Sequence, residues 1–357
     1  MNINVNEAIQ MRLKIYLMFI ALGLSVWTPL LAKDDKKVSN RLAQKLILGD
    51  QVKMNINNID LPMDNDGSTG DDGNGHYPNG TDLTFLFQGG IAASAKVNGE
   101  LRASWMARAS LIQEYQPGPW NTDPSDAQAR FYTAADADAA GSANHIAWAD
   151  AVAQGAEFQD IDGNGVYDPN IDRPDVIGDL TYYCTYNDNT SLSTRTPRLQ
   201  TAPIGLEVRQ TAWAFARGDA LGDVIFIRYR FVNTNEVPID SLVFSIWTDP
   251  DLGDFEDDLI GCDTSRSMGF IYNDGDDAQY GLNPPAFGVD FFQGPIVPSP
   301  GDQALLYKGP FFGIDTVQDF RNLPLTSFTF YINGDPILSD PSTAEIARFY
   351  QLGGLDA

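Results

Sequence analysis

The chain has 357 residues, enough for one large β domain or two smaller ones. Lys and Arg number 23 against 48 Asp and Glu, a formal net charge of −25. Such a surface repels phosphate backbones and anionic lipid, which argues against nucleic acid and membrane surfaces as partners and suits divalent cations. Hydrophobic residues make up 43% of the chain, so the acidity belongs to a folded protein rather than a disordered one.

The N-terminus reads as a Sec-type secretory signal over residues 1–32. Arg12 and Lys14 precede the apolar run Ile15 to Leu31, and Ala32 offers a small residue before the charged cluster that starts at Lys33. An uncleaved signal anchor is the alternative, because the run reaches the lower limit for a membrane span. Apart from this segment no membrane association is expected, and the location is extracellular or at the cell surface. Cys184 and Cys262 are the only cysteines. In an exported protein they either form one disulfide or remain two buried thiols. With His76 and His145 the only histidines, the ligand supply for zinc is poor.

Residues 33–80 read as a polar leader. Within it, Asp64 to Gly75 is a Gly/Asp/Asn-rich stretch that reads either as a second Ca²⁺ loop, though its spacing does not complete one ligand set, or as a metal-free turn. From residue 81 the pattern becomes strand-like: Leu83 to Phe87, Ile91 to Val97, then Glu100 to Met106. The intervening Asn98-Gly99 signals a tight hairpin, whose two turn residues both need positive φ. His145 to Gln154 is the one helical set, with Asn144 as cap and Ile146, Ala149 and Val152 on a shared face. Further strands are expected at Leu180 to Tyr186, Ile204 to Phe215, Val224 to Val232, Leu242 to Trp247 and Met268 to Tyr272. The fourth of these is expected to run back antiparallel to the third after a turn at Asn233 to Asp240. The proline-rich Gly294 to Gly301 ends the dense pattern. Short strands, turn clusters and one short helix predict a mainly β fold, an antiparallel β-sandwich with long acidic loops over residues 81–357. The ending at Gly353 to Ala357, with no closing strand, reads as part of a longer protein.

The most specific chemical signal is Asp160-Ile161-Asp162-Gly163-Asn164-Gly165-Val166-Tyr167-Asp168. Oxygen-bearing side chains at positions one, three, five and nine, a glycine at six and a backbone carbonyl at seven (Val166) follow the ligand order of a Ca²⁺ loop. Position twelve is Ile171, where a bidentate Glu would be standard, and Asp172 comes one place late. Pro169 and Pro174 prevent a regular exiting helix. The loop therefore resembles the isolated Asp-x-Asp-x-Asn-Gly loops of extracellular bacterial proteins rather than a paired EF-hand. A metal-free turn held by Asp side chains on backbone N–H groups is the alternative. Crowding Asp160, Asp162, Asp168 and Asp172 into one turn favours the cation.

A second acidic loop, Asp249 to Asp258, follows a strand and offers Asp249, Asp251 and Asp254 to a cation or simply to solvent. Asp249, Asp251 or Glu207 are also candidates for the carboxylate pair that glycoside hydrolysis needs. No nucleophile elbow, phosphate-binding loop or His-Glu-x-x-His is present. Trp105, Trp120, Trp213 and Trp247 would stack on sugars if exposed, but their strand positions favour the core.

Several segments recur together: Gly89-Gly90-Ile91 through Arg102, Glu114 to Gly118, Gly178-Asp179-Leu180, Gly205 to Val208, and Asp249 to Asp254 with Gly261-Cys262-Asp263-Thr264. In this order they resemble the N-terminal region of large secreted proteins of Bacteroidetes-type bacteria, which often end in a type IX secretion sorting domain. The resemblance implies export and surface location and carries no catalytic residue. The expectation is a Ca²⁺-stabilised surface module that binds extracellular polysaccharide or cell-surface proteins. The rival is a polysaccharide-active enzyme or carbohydrate-binding accessory domain.

Overall fold

A computed structural model describes residues 50–71, 73–107, 112–190, 199–332 and 339–354. The signal segment and the first part of the leader lie outside them. The fold is mainly β, built from antiparallel sheets.

Two sheets face one another. The four-stranded sheet runs in the order Ile239–Asp249, Gln88–Val97, Glu100–Ala107, Ile112–Gln113. In the five-stranded sheet, Ile225–Asn233 pairs with Leu206–Ala214 and that with Leu180–Asn187. Gln116–Pro117 and Tyr132–Ala135 both pair with Leu180–Asn187. Period-two alternation then decides which side chains meet. Ile91 and Met106 from one sheet share a cluster with Cys184, Tyr186, Val208 and Ala212 from the other. Tyr115 meets Tyr186 edge-on at 5.8 Å, and Phe231 meets Phe244 at 4.9 Å, both within the range for favourable ring pairs.

The outward residues are covered too. Tyr183 points away from the inter-sheet core onto helix α1, Ala143–Ala153, where it lies 6.1 Å from Trp148. On the far side, Ala92, Ala103 and Trp105 bury against helix α2, Ala344–Gln351, through Ala344, Ala347 and Tyr350. The order of layers is helix, sheet, sheet, helix. Burial on both faces explains why Leu180–Asn187 is rich in Tyr, Thr and Cys rather than alternating with charge.

The Asn98-Gly99 turn forms as expected, with φ of 52° and 81°, and sets the register Val97↔Glu100. Four expectations are corrected. The folded region already includes residues 51–71 and 73–80: Gln51–Met54 pairs with Leu61–Asp64, and Met54 and Met63 are fully buried in the main core. Ile239–Asp249 does not pair with Ile225–Asn233; it crosses to the other sheet and pairs with Gln88–Val97. Helix α1 is capped by Ser142 and buries His145, Trp148 and Ala151, while Ile146 is 59% exposed. The proline-rich segment runs on from Ile296 into the strand Ile296–Tyr307, which forms a long, largely exposed hairpin with Ile314–Asn322. Beyond that hairpin comes α2, a second helix that the sequence reading missed. Its signals were Thr343, whose side chain accepts the Ile346 N–H, and the small residues Ala344 and Ala347.

Candidate metal centre

The acidic loop is the tip of a short hairpin whose stem pairs Phe158–Gln159 with Arg173–Pro174. Gly163 and Gly165 take φ of 73° and 76°, the left-handed bends that let successive backbone amides turn inward. Asp160 gathers three of them: Gly163 N–H at 2.9 Å and Asn164 N–H at 3.2 Å on Oδ1, and Gly165 N–H at 2.7 Å on Oδ2. These donors hold its carboxyl below the usual carboxylate range. Asp162 accepts the Asn164 side-chain amide at 2.8 Å, and Asn164 Oδ1 accepts the Val166 N–H at 2.6 Å.

Asp172, fully buried, closes the ring from the other strand. Its Oδ1 accepts the Ile161 N–H at 2.8 Å and its Oδ2 accepts the Asp168 N–H at 2.7 Å. Asp160, Asp162 and Asp172 each place a carboxylate oxygen within 4.8 Å of the other two, so the group can hold a metal ion. Asp168 stands outside this group: its Oδ1 instead accepts the Asn170 backbone and side-chain N–H groups at 2.9 and 3.1 Å. The residue one place late in the pattern thus joins the cluster, and the one at position nine caps its own turn. Asn164 stays with the cluster through its amide bound to Asp162, and Val166 joins it through its N–H on Asn164 Oδ1.

The surroundings brace the loop. Tyr167 OH donates to the His145 carbonyl at 2.9 Å, and Gly141 N–H donates to the Pro169 carbonyl at 2.8 Å, which fastens the loop to α1 and its approach. Burial, with Asp172 and Asp168 nearby, raises the Tyr167 phenol and keeps it a donor.

The second acidic loop behaves differently. Among the described residues only Asp160, Asp162 and Asp172 form such a three-carboxylate group, so Asp249, Asp251 and Asp254 are not drawn together in that way. Asp254 Oδ1 accepts the Glu256 N–H at 3.2 Å. Leu252 N–H donates to Asp258 Oδ2 at 3.0 Å, and Asp254 N–H donates to Asp277 Oδ2 at 2.8 Å. Burial, then Asp251 and Asp340, pushes the Asp249 carboxyl up to about 7. The Asp64–Asp71 turn is also supported by protein groups. Asn65 Nδ2 donates to the Ala129 carbonyl at 2.6 Å, and Gln113 Nε2 to Asp66 Oδ2 at 3.1 Å.

Of the carboxylates named for a polysaccharide-cleaving site, Asp251 lies near enough to Asp249 to help raise its carboxyl, while Glu207 is engaged by protein groups. Glu207 is 7% exposed and accepts from Arg209 Nε at 2.9 Å and the Trp120 N–H at 3.0 Å. Trp105 and Trp213 are buried, and Trp247 Nε1 donates to Tyr331 OH at 2.7 Å. Cys184 and Cys262 are free thiols. No described helix is long and apolar enough to cross a membrane. No family model matches the chain, and no similar curated protein or solved structure was found.

Proposed function

We propose that the Asp160–Asp172 loop takes up one Ca²⁺ and that the chain is an exported, cation-pinned β-sandwich with a binding or structural role at the cell surface. What supports the cation is the convergence of Asp160, Asp162 and Asp172, with Asp172 fully buried at the base of the loop. Three carboxylates drawn together carry like charges, which a hard divalent cation neutralises while backbone donors orient them. All-oxygen donors favour Ca²⁺ over softer metals, and the flexible glycine bends suit its variable geometry better than the rigid octahedron of Mg²⁺.

The ion acts as a clip. At Kd of ~0.1–1 mM, the range of extracellular modules, ~1 mM Ca²⁺ adds only about 0.4–1.4 kcal/mol by mass action. The leader segment and the acidic composition support export, and the burial of Glu207, held by Arg209 and the Trp120 N–H, favours a binding role over glycan cleavage by that residue. The ligand classes that fit an exported acidic module are extracellular polysaccharide and cell-surface protein. Calorimetric titration of the full chain with CaCl₂ and MgCl₂ tests the cation. Uptake of Ca²⁺ at millimolar or lower concentration, with weaker Mg²⁺, is expected. No binding of Ca²⁺ below ~10 mM, well outside that range, sinks it. A glycan array run with and without chelator tests the binding role.

A further inference from the structure

Below the acidic loop, at the other end of its stem, lies a second pair of carboxylates. Glu157 and Asp175 face each other across the hairpin, Asp175 N–H donating to the Glu157 carbonyl at 3.3 Å. Glu157 is ion-paired to Arg230, and Arg228 Nη2 lies 3.8 Å from its Oε2. Among the described residues no cation is ion-paired to Asp175, and Arg228 acts on it only at longer range. Asp175 is 3% exposed, and neither carboxylate oxygen receives a hydrogen bond.

What covers Asp175 is the turn of the Ile296–Asn322 hairpin. A methyl group placed on Gly309 would sit 3.2 Å from Asp175 Oδ2 and 3.4 Å from Ile177 Cγ1, so the Gly309 backbone rests on this carboxyl. That turn, Lys308 to Gly313, is closed by its own backbone bonds, Lys308 N–H to the Gly313 carbonyl at 2.9 Å and Gly313 N–H to the Gly309 carbonyl at 2.8 Å. The rest of the hairpin is largely solvent-exposed.

We propose that Asp175 is a pH-sensitive latch: when protonated it lets the 308–313 turn close over the loop stem, and when ionised it releases that turn. A buried carboxylate without donors is costly, whereas a neutral carboxyl in the same place is not. The charged groups that act on it are Glu157 from the stem and Arg228 from the strand Ile225–Asn233; Arg230 from that strand and Tyr307 from the hairpin act on Arg228, and Arg230 is also paired to Glu157. Burial first, then Glu157, raises the Asp175 carboxyl to about 6, against the opposing pull of Arg228. The sign follows: the closed form binds the proton more tightly than an open form at the ordinary carboxylate value. Closure is therefore fullest below about pH 4 and weakens as pH rises to about 6.

The test compares the full chain with Asp175→Asn, which is isosteric and cannot ionise. Hydrogen exchange of the 308–313 amides, taken as the ratio of wild type to variant at each pH, removes the intrinsic pH dependence of exchange. The expected ratio is near one at pH 4 and at least tenfold faster exchange in the wild type at pH 7.5. The thermal midpoint of Asp175→Asn should exceed the wild type only at the higher pH, a gain that a merely structural aspartate would not give on removal. A ratio that stays constant across this range, or an Asp175 carboxyl ¹³C titration midpoint below pH 4.5, overturns the latch.

Discussion

Asp172 Oδ1 accepts the backbone N–H of Ile161 at 2.8 Å, tying the far strand of the acidic loop to its near end. One buried side chain thereby closes the loop and supplies an oxygen to the candidate cation site.

Asp172→Ala is therefore expected to act twice. It leaves the Ile161 and Asp168 amides without an acceptor, costing about 1–3 kcal/mol, and it removes an anionic ligand. In thermal melts, the midpoint shift produced by chelator in the wild type should vanish in this variant. Asp168→Ala, whose carboxylate caps the Asn170 turn instead, should keep it. If the two variants respond alike to chelator, the ligand assignment is wrong.

Helix α1 gives a contrast between neighbours. Trp148 is 2% exposed, packs on Tyr183 and donates its indole N–H to the Glu157 carbonyl at 3.1 Å. Trp148→Ala should cost about 3–5 kcal/mol by denaturant unfolding. Ile146, 59% exposed two residues earlier, should cost less than about 0.5 kcal/mol on the same change. Equal losses would mean that the helix presents a different face.

The pH dependence of the second acidic loop follows from Asp249. Its carboxyl is raised to about 7 by burial and by Asp251 and Asp340, so protonation favours the folded state. This contribution is fully present below the unfolded value near 4 and is lost as pH climbs to about 7. Asp249→Asn should raise stability at pH 8 by on the order of 2 kcal/mol and leave it nearly unchanged at pH 4. Loss of stability at pH 8 would show instead that the ionised carboxylate is needed there.

The two thiols should separate kinetically. Cys184 is fully buried in the inter-sheet core, and burial pushes its thiol well up. Cys262 is only half-buried, on the separate Asp258–Asp263 strand. A thiol reagent should label Cys262 in the native protein and both cysteines after denaturation. Failure to label either cysteine after denaturation without reductant would show a Cys184–Cys262 disulfide instead of two free thiols.

Sequence by itself settled what depends on near neighbours. Alternation placed Ile91 to Val97 and Glu100 to Met106 on strands, Asn98-Gly99 fixed the turn between them, and the aspartate spacing marked the loop, because backbone preferences and side-chain parity act within a few residues. Only the tertiary structure decided what depends on distant ones. Leu242 to Trp247 was recognisable as a strand, yet its partner is Gln88–Val97 rather than the strand before it, since an inter-sheet contact such as Phe231 with Phe244 follows from where the chain crosses and not from any local pattern. The helix face turned inward, the burial of Met54 and Met63 and the rise of Asp172 over Asp168 in the loop have the same origin. Each was set by which surface remained to be covered once the two sheets had met.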